Sequence, residues 1–149
     1  MLYADHDPGR LVPYHIYHGN RLRPYPGPER EAIMPPIPVL EIDPDLKLDD
    51  GTPVTELGDY ILYNGHHRRW AALLAGKKAV AIAVLQNDED LELNRGKEML
   101  RLSPASTAFS DHKALVYKHV LDLTEAVLER ERRYQIPNPQ PERDRNRRG

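Results

Sequence analysis

The stretch Tyr60–Leu85, YILYNGHHRRWAALLAGKKAVAIAVL, constrains the fold of this chain more than any other. Tyr60 to Tyr63 is a short aromatic and β-branched run that reads as a strand. Asn64-Gly65 interrupts it, and Asn64 is placed to cap a helix by accepting an orphan backbone N–H. Helix formers run from His66 to Ala75, and Gly76 stands where a left-handed C′ residue is wanted. Lys77 and Lys78 follow at the negative end of the helix dipole. Ala79 to Leu85 is a continuous apolar run of strand length, the pattern of a strand covered on both faces. Strand, turn, helix and strand in this order predict a right-handed parallel crossover. Helical spacing predicts that Trp70, Leu73 and Leu74 are buried, with Ala71, Ala72 and Ala75 permitting close approach to a sheet.

One feature of this unit runs against helix electrostatics. A helix N-terminus carries partial positive charge and favours Asp or Glu, yet the first turn here holds His66, His67, Arg68 and Arg69. Each exposed like charge costs roughly 0.3–1 kcal/mol. Violations of local rules concentrate at functional sites, and a bound anion would reverse the sign of this one. Free N–H groups, the dipole and cationic side chains would then converge on a phosphate or carboxylate. The competing reading is that His66 and Arg69 are simply solvated and the clustering is accidental.

The same residues carry a resemblance. NGHHRRWAALLAG followed by a Val-rich strand resembles the ParB/sulfiredoxin-like (ParB-like nuclease domain) superfamily, in which Gly-x-x-Arg opens a helix and binds nucleotide phosphates. Its G-H-H-R variant is similar to that of nucleotide-dependent free-serine kinases. Gly65, His66, His67, Arg68 and Ala71 match the motif, and Pro35–Pro44 is similar to the family's first strand. The resemblance covers about Ile37 to Leu85. It implies an α/β (α+β) fold with a small mixed sheet, and a nucleoside di- or triphosphate bound with Mg2+. Asn64 would cap the helix, Gly65 would let the phosphate approach the backbone, and His66, His67 and Arg68 would contact phosphate oxygens. Magnesium would be shared between the phosphates and one or two carboxylates. Nucleotide binding, with phosphotransfer or phosphohydrolase chemistry as its enzymatic form, is the function this implies.

The chain also departs from the family pattern. Members often place a helix between the first two strands and take an acidic catalytic group from that region. Here Pro44–Asp59 carries Pro, Gly and an Asp-Asp-Gly turn, leaving space for one helical turn near Thr55–Leu57. Glu41, Asp43 and Asp45 are the candidate catalytic acids, with Asp49 and Asp50 nearby, and none aligns well enough to be assigned over solvated turn acids. The cysteine of sulfiredoxin would fall at His66, and the chain has no cysteine, so that chemistry is excluded. Neither a helix-turn-helix domain nor a Glu-Asn-x-x-Arg motif follows the core, which argues against chromosome partitioning.

Beyond the motif the chain reads as one domain of 149 residues, with 40% hydrophobic content and a net charge of −2. That balance demands neither nucleic acid nor a membrane. No apolar run nears the ~20 residues of a membrane span and no signal peptide opens the chain, so a cytoplasmic protein is expected. Residues 1–36 form a Pro-, Tyr- and His-rich leader expected to wrap a 37–134 domain. Within it Leu11–His18 reads as an edge strand, because Pro13 cannot donate to a central ladder. His15 and His18, three apart in a strand, face opposite sides and make a poor metal pair. Tyr25-Pro26-Gly27-Pro28 reads as loop. Ile37–Ile42 is a strand, and Leu46–Val54 a small hairpin around Asp50-Gly51. A long helix is predicted from Ser110 or Asp111 to about Tyr134, with Val116, Val120, Leu123 and Val127 as its apolar stripe. Its charged end, Glu129 to Arg133, reads as solvated, and its broad apolar face would also suit a dimer. Residues 135–149 form a basic tail expected to be disordered. That tail and the His/Arg cluster support a rival function: a non-enzymatic nucleic-acid-binding or protein-interaction module.

Overall fold

A computed structural model describes residues 1–15, 24–94 and 108–134. Five strands form one mixed sheet: β1 (Leu2–His6), β2 (Leu11–Val12), β3 (Ile37–Glu41), β4 (Tyr60–Leu62) and β5 (Val80–Val84), in the order β1-β5-β3-β4-β2. Among the described residues four helices accompany it: α1 (Pro28–Glu31), α2 (His66–Leu74), α3 (Asp88–Asn94) and α4 (Phe109–Arg133). The fold is thus an α/β mixed sheet with a long C-terminal helix.

Strand alternation splits the core into two layers. Leu11, Ile37, Val39, Leu62, Val80, Ile82 and Val84 face one side, where Ala72 of α2 packs on them. Val12, Leu40, Ile61, Tyr63 and Leu85 face the other, against Val116 and Val120 of α4 and Leu91 of α3. Leu48 and Val54 close that second layer from the Asp-Gly hairpin, which carries a Lys47–Pro53 bridge and Gly51 at φ 89°. The predicted helical turn is a 3-10 turn at Val54–Glu56.

Several expectations are corrected. The Tyr60–Leu85 unit is not a parallel crossover. β4 runs antiparallel to β3 and β3 runs parallel to β5, so β4 and β5 point in opposite directions with β3 between them. The chain reverses through α2 and skips a strand, a long-range pairing that local pattern does not encode. β1 was not foreseen. Its outer position leaves Leu2 to Asp5 exposed on both faces, so the strand lacks alternation. The predicted Leu11–His18 strand narrows among described residues to Leu11–Val12, ending at Pro13. Residues 1–15 supply both edge strands, so the leader is built into the domain. Leu74 faces solvent while Trp70 and Ala72 are buried, because the 66–69–70–72 face points inward. On α4 the buried stripe is His112, Val116, Val120, Thr124, Val127 and Glu131, with Leu123 exposed. The Thr124 hydroxyl satisfies itself on the Pro13 carbonyl at 2.8 Å. The tail, residues 135–149, lies outside the described residues.

Glu131 is the largest departure, since it was read as part of a solvated end. It meets the equally buried Arg69 of α2 in a bidentate pair, Nη1–Oε2 2.6 Å and Nη2–Oε1 3.1 Å. Arg69 Nε donates to the Pro8 carbonyl at 3.2 Å, in the turn just before β2. Trp70 meets Tyr134 edge-on beside this pair, with centroids 6.2 Å apart. Glu131→Ala would strand the Arg69 charge in the interior and should destabilise the fold by about 3–5 kcal/mol. The double variant Arg69→Met/Glu131→Met should recover most of that loss. Urea unfolding of the two proteins tests it; equal losses in both would show that the pair is not a coupled buried charge.

Candidate functional site

The basic run at the start of α2 divides by helical geometry into two inward and two outward residues. His66 and Arg69, three apart, turn inward and are buried; His67 is exposed and Arg68 half-buried. The solvated reading of His66 and Arg69 is therefore overturned. The charge anomaly shrinks as well, because Arg69 is paired and His66 is held neutral.

His66 Nε2 accepts the Tyr14 N–H at 3.1 Å, and the two rings stack edge-on with centroids 4.5 Å apart. An accepting Nε2 places the ring proton on Nδ1. Burial, then the positive fields of His15, Arg69 and His67, drive the His66 pKa well below its ordinary value. His66 thus holds the chain after β2 against α2, and its geometry sets it apart from the outward phosphate donors expected of it.

Asn64 and Gly65 also take roles other than those expected. The residue at the N-cap is Gly65, with no side-chain cap, while Asn64 Oδ1 accepts the Gly65 N–H at 2.8 Å. Gly65 sits in the left-handed region at φ 89°, and a Cβ there would stand 3.0 Å from Ile37 Cγ2. The glycine is required by the turn from β4 into α2 and by contact with β3, whatever binds nearby.

His67 and Arg68 open into a cleft of about 690 Å³ between α2 and the segment that carries α1. The α2 side contributes His67, Arg68 and Ala71, and the α1 side Pro24, Tyr25, Pro26, Arg30 and Met34, so two guanidiniums and an imidazole share the cleft with apolar lining. Arg68 Nη1 donates to the Pro35 carbonyl at 2.5 Å, while its Nε is enclosed without a hydrogen-bond partner. Burial lowers the Arg68 pKa against the opposing pull of Tyr25 and Glu31, and a guanidinium stays charged at neutral pH regardless. The Tyr25 hydroxyl donates to Glu31, whose other oxygen accepts from Lys77 Nζ at 3.3 Å. Burial and the Glu31 bond push the Tyr25 pKa up to about 12. The same Tyr25 bond, with Lys77 and Arg68, holds Glu31 below the usual carboxylate range. Lys77 also lies 5.5 Å from the Tyr25 ring centroid.

The cleft's α1 side was missed by sequence reading, which took Tyr25–Pro28 as loop. A signal was there: Pro28 at the first helical position, with Glu29 and Glu31 in the first turn, is a helix-start pattern.

Glu41, Asp43 and Asp45 stand elsewhere. Gly65 packs on Ile37 at the start of β3, whereas Glu41 ends that strand, roughly 13 Å away at about 3.3 Å per residue. All three are exposed and serve the turn there: the Tyr117 hydroxyl donates to the Glu41 carbonyl at 2.6 Å and accepts the Asp43 N–H at 3.1 Å. Asp43 Oδ1 accepts the Asp45 N–H at 2.9 Å. Asp59 pairs with His6 at 2.8 Å and Arg10 at 3.0 Å. His18 lies outside the described residues, among which no cluster of three metal-capable side chains occurs. No described helix is long and apolar enough to cross a membrane.

Compared with known proteins, the chain matches no family model, no curated protein and no solved structure. The ParB/sulfiredoxin-like resemblance accordingly rests on Gly65–Arg68 and the strands around them.

The depressed His66 pKa makes a signed prediction. Above the unfolded value of about 6.5 both states are neutral, and its stabilising contribution is complete. Below it the unfolded chain gains a proton that folded His66 refuses, so stability falls with falling pH. In His66→Gln, whose amide oxygen still offers an acceptor to Tyr14, the loss of stability between pH 7.5 and pH 5.5 should be smaller than in wild type. Identical pH slopes in urea unfolding would contradict the buried, neutral assignment.

Proposed function

We propose that the cleft beside α2 is a nucleotide-phosphate site, with Arg68, His67 and Arg30 as the anion-binding groups. The observation that carries this reading is the juxtaposition of two guanidiniums and an imidazole with apolar lining, in a space of about 690 Å³. Ligand pockets of ~300–1,000 Å³ that combine apolar lining with a few convergent polar groups are the usual form of small-molecule sites. A guanidinium forks onto two phosphate oxygens, which makes Arg68 the principal anchor. The Gly-x-x-Arg resemblance supports the same residue. The phosphate lies along the flank of α2 formed by residues 67, 68 and 71, and His66 contributes by fixing that flank. Binding is the function supported; among the described residues no carboxylate lines the cleft to serve as a general base.

Arg68→Ala should weaken nucleotide binding by about 1.5–3 kcal/mol, the scale of charge-assisted hydrogen bonds. Loss of the Pro35 bond should cost the fold about 0.5–1.5 kcal/mol. Arg68→Lys should restore only part of the affinity. The first test is thermal shift with nucleoside di- and triphosphates, where saturation at 100 times Kd adds about 2.7 kcal/mol. Titration calorimetry of the variants follows. Undiminished affinity in Arg68→Ala would overturn the assignment.

A further inference from the structure

The donor set of the cleft conflicts with a protein-held magnesium ion. Mg2+ is bound through oxygen ligands, commonly one or two carboxylates with phosphates and water. Among the described residues the cleft offers Arg30, His67 and Arg68 and no carboxylate in its lining. Glu31, whose charge acts on Arg68, already accepts from the Tyr25 hydroxyl and Lys77. The candidate acids Glu41, Asp43 and Asp45 are at the far end of β3. A divalent cation in this cleft would face the guanidiniums of Arg30 and Arg68.

Charge arithmetic gives the alternative. A terminal phosphate monoester carries about −1.5 to −2 charge near neutral pH. Arg30 and Arg68 balance it without a metal, and His67 adds a further hydrogen-bond donor. Arg68 commits Nη1 to the Pro35 carbonyl, and a guanidinium carries five N–H donors in all, so this bond leaves others for a ligand. Tyr25, Pro26 and Met34 add apolar lining of the kind that takes a flat ring.

Resting on the nucleotide-phosphate reading, we infer that this cleft takes a phosphate monoester joined to a flat ring, a nucleoside monophosphate, and binds it without a divalent cation. The two arginines do the neutralising that magnesium does at carboxylate-bearing nucleotide sites.

The test is calorimetric titration of the full chain with a purine and a pyrimidine nucleoside monophosphate, in EDTA and again with excess Mg2+. Inorganic phosphate and a nucleoside triphosphate serve as further probes. The inference expects equal or tighter monophosphate binding in EDTA, and inorganic phosphate binding at least tenfold more weakly. Arg30→Gln and Arg68→Gln should each weaken the monophosphate about tenfold. Arg30 is exposed, so its variant remains informative even if Arg68→Gln fails to fold. Nucleotide binding only with Mg2+ would overturn this inference and leave the phosphate cleft standing. No nucleotide binding under either condition would overturn both. Inorganic phosphate binding as tightly as the monophosphate would overturn the ring subsite. EDTA-insensitive binding unchanged by both variants would place the ligand elsewhere and overturn the assignment.

Discussion

The buried Arg69–Glu131 pair sets the arrangement on which the remainder of the structure depends. Such a pair gives little net free energy over an apolar pair of equal volume, because both charges are desolvated. Its effect is geometric. In the observed rotation of α2, Arg69 reaches the Pro8 carbonyl and both oxygens of Glu131 together. That rotation ties three distant segments: the turn before β2, the helix between β4 and β5, and the last turns of α4.

From this setting the cleft follows. With Arg69 and His66 inside, the 3.6-residue repeat turns His67, Arg68 and Ala71 toward the α1 side. The inward residues are neutral or paired, so the positive charge left on this turn is concentrated on the outward flank. Tyr14 reinforces the division: its N–H binds His66, and its hydroxyl donates to the Tyr63 carbonyl at 3.1 Å, at the end of β4. The stretch GHHRR therefore does two jobs in alternation, with 66 and 69 bracing and 67 and 68 facing the cleft.

Much of this architecture was legible in the sequence where signals are local. The strand at Tyr60, the helix from His66, the strand after Gly76, the Asp-Gly hairpin and the long C-terminal helix all show in periodicity and turn residues. Direction and inwardness did not show. Nothing local says that β4 opposes β5, since β3 is inserted between them from earlier in the chain. Nothing in Glu129–Arg133 marks Glu131 as buried, because its partner is 62 residues away. The basic cluster was visible as an anomaly, but only the fold sorts His66 and Arg69 from His67 and Arg68. Half of the cleft was hidden because α1 has only four residues, too few for a periodic signal.

The central claim is that the outward flank of α2, and not its buried face, meets the ligand. Amide chemical-shift mapping during titration with a nucleoside monophosphate tests it most directly. The account predicts perturbations concentrated at Tyr25, Arg30, Met34, His67, Arg68 and Ala71. Perturbations centred on Glu41, Asp43 and Asp45, or no perturbation along the α2 flank, would contradict it.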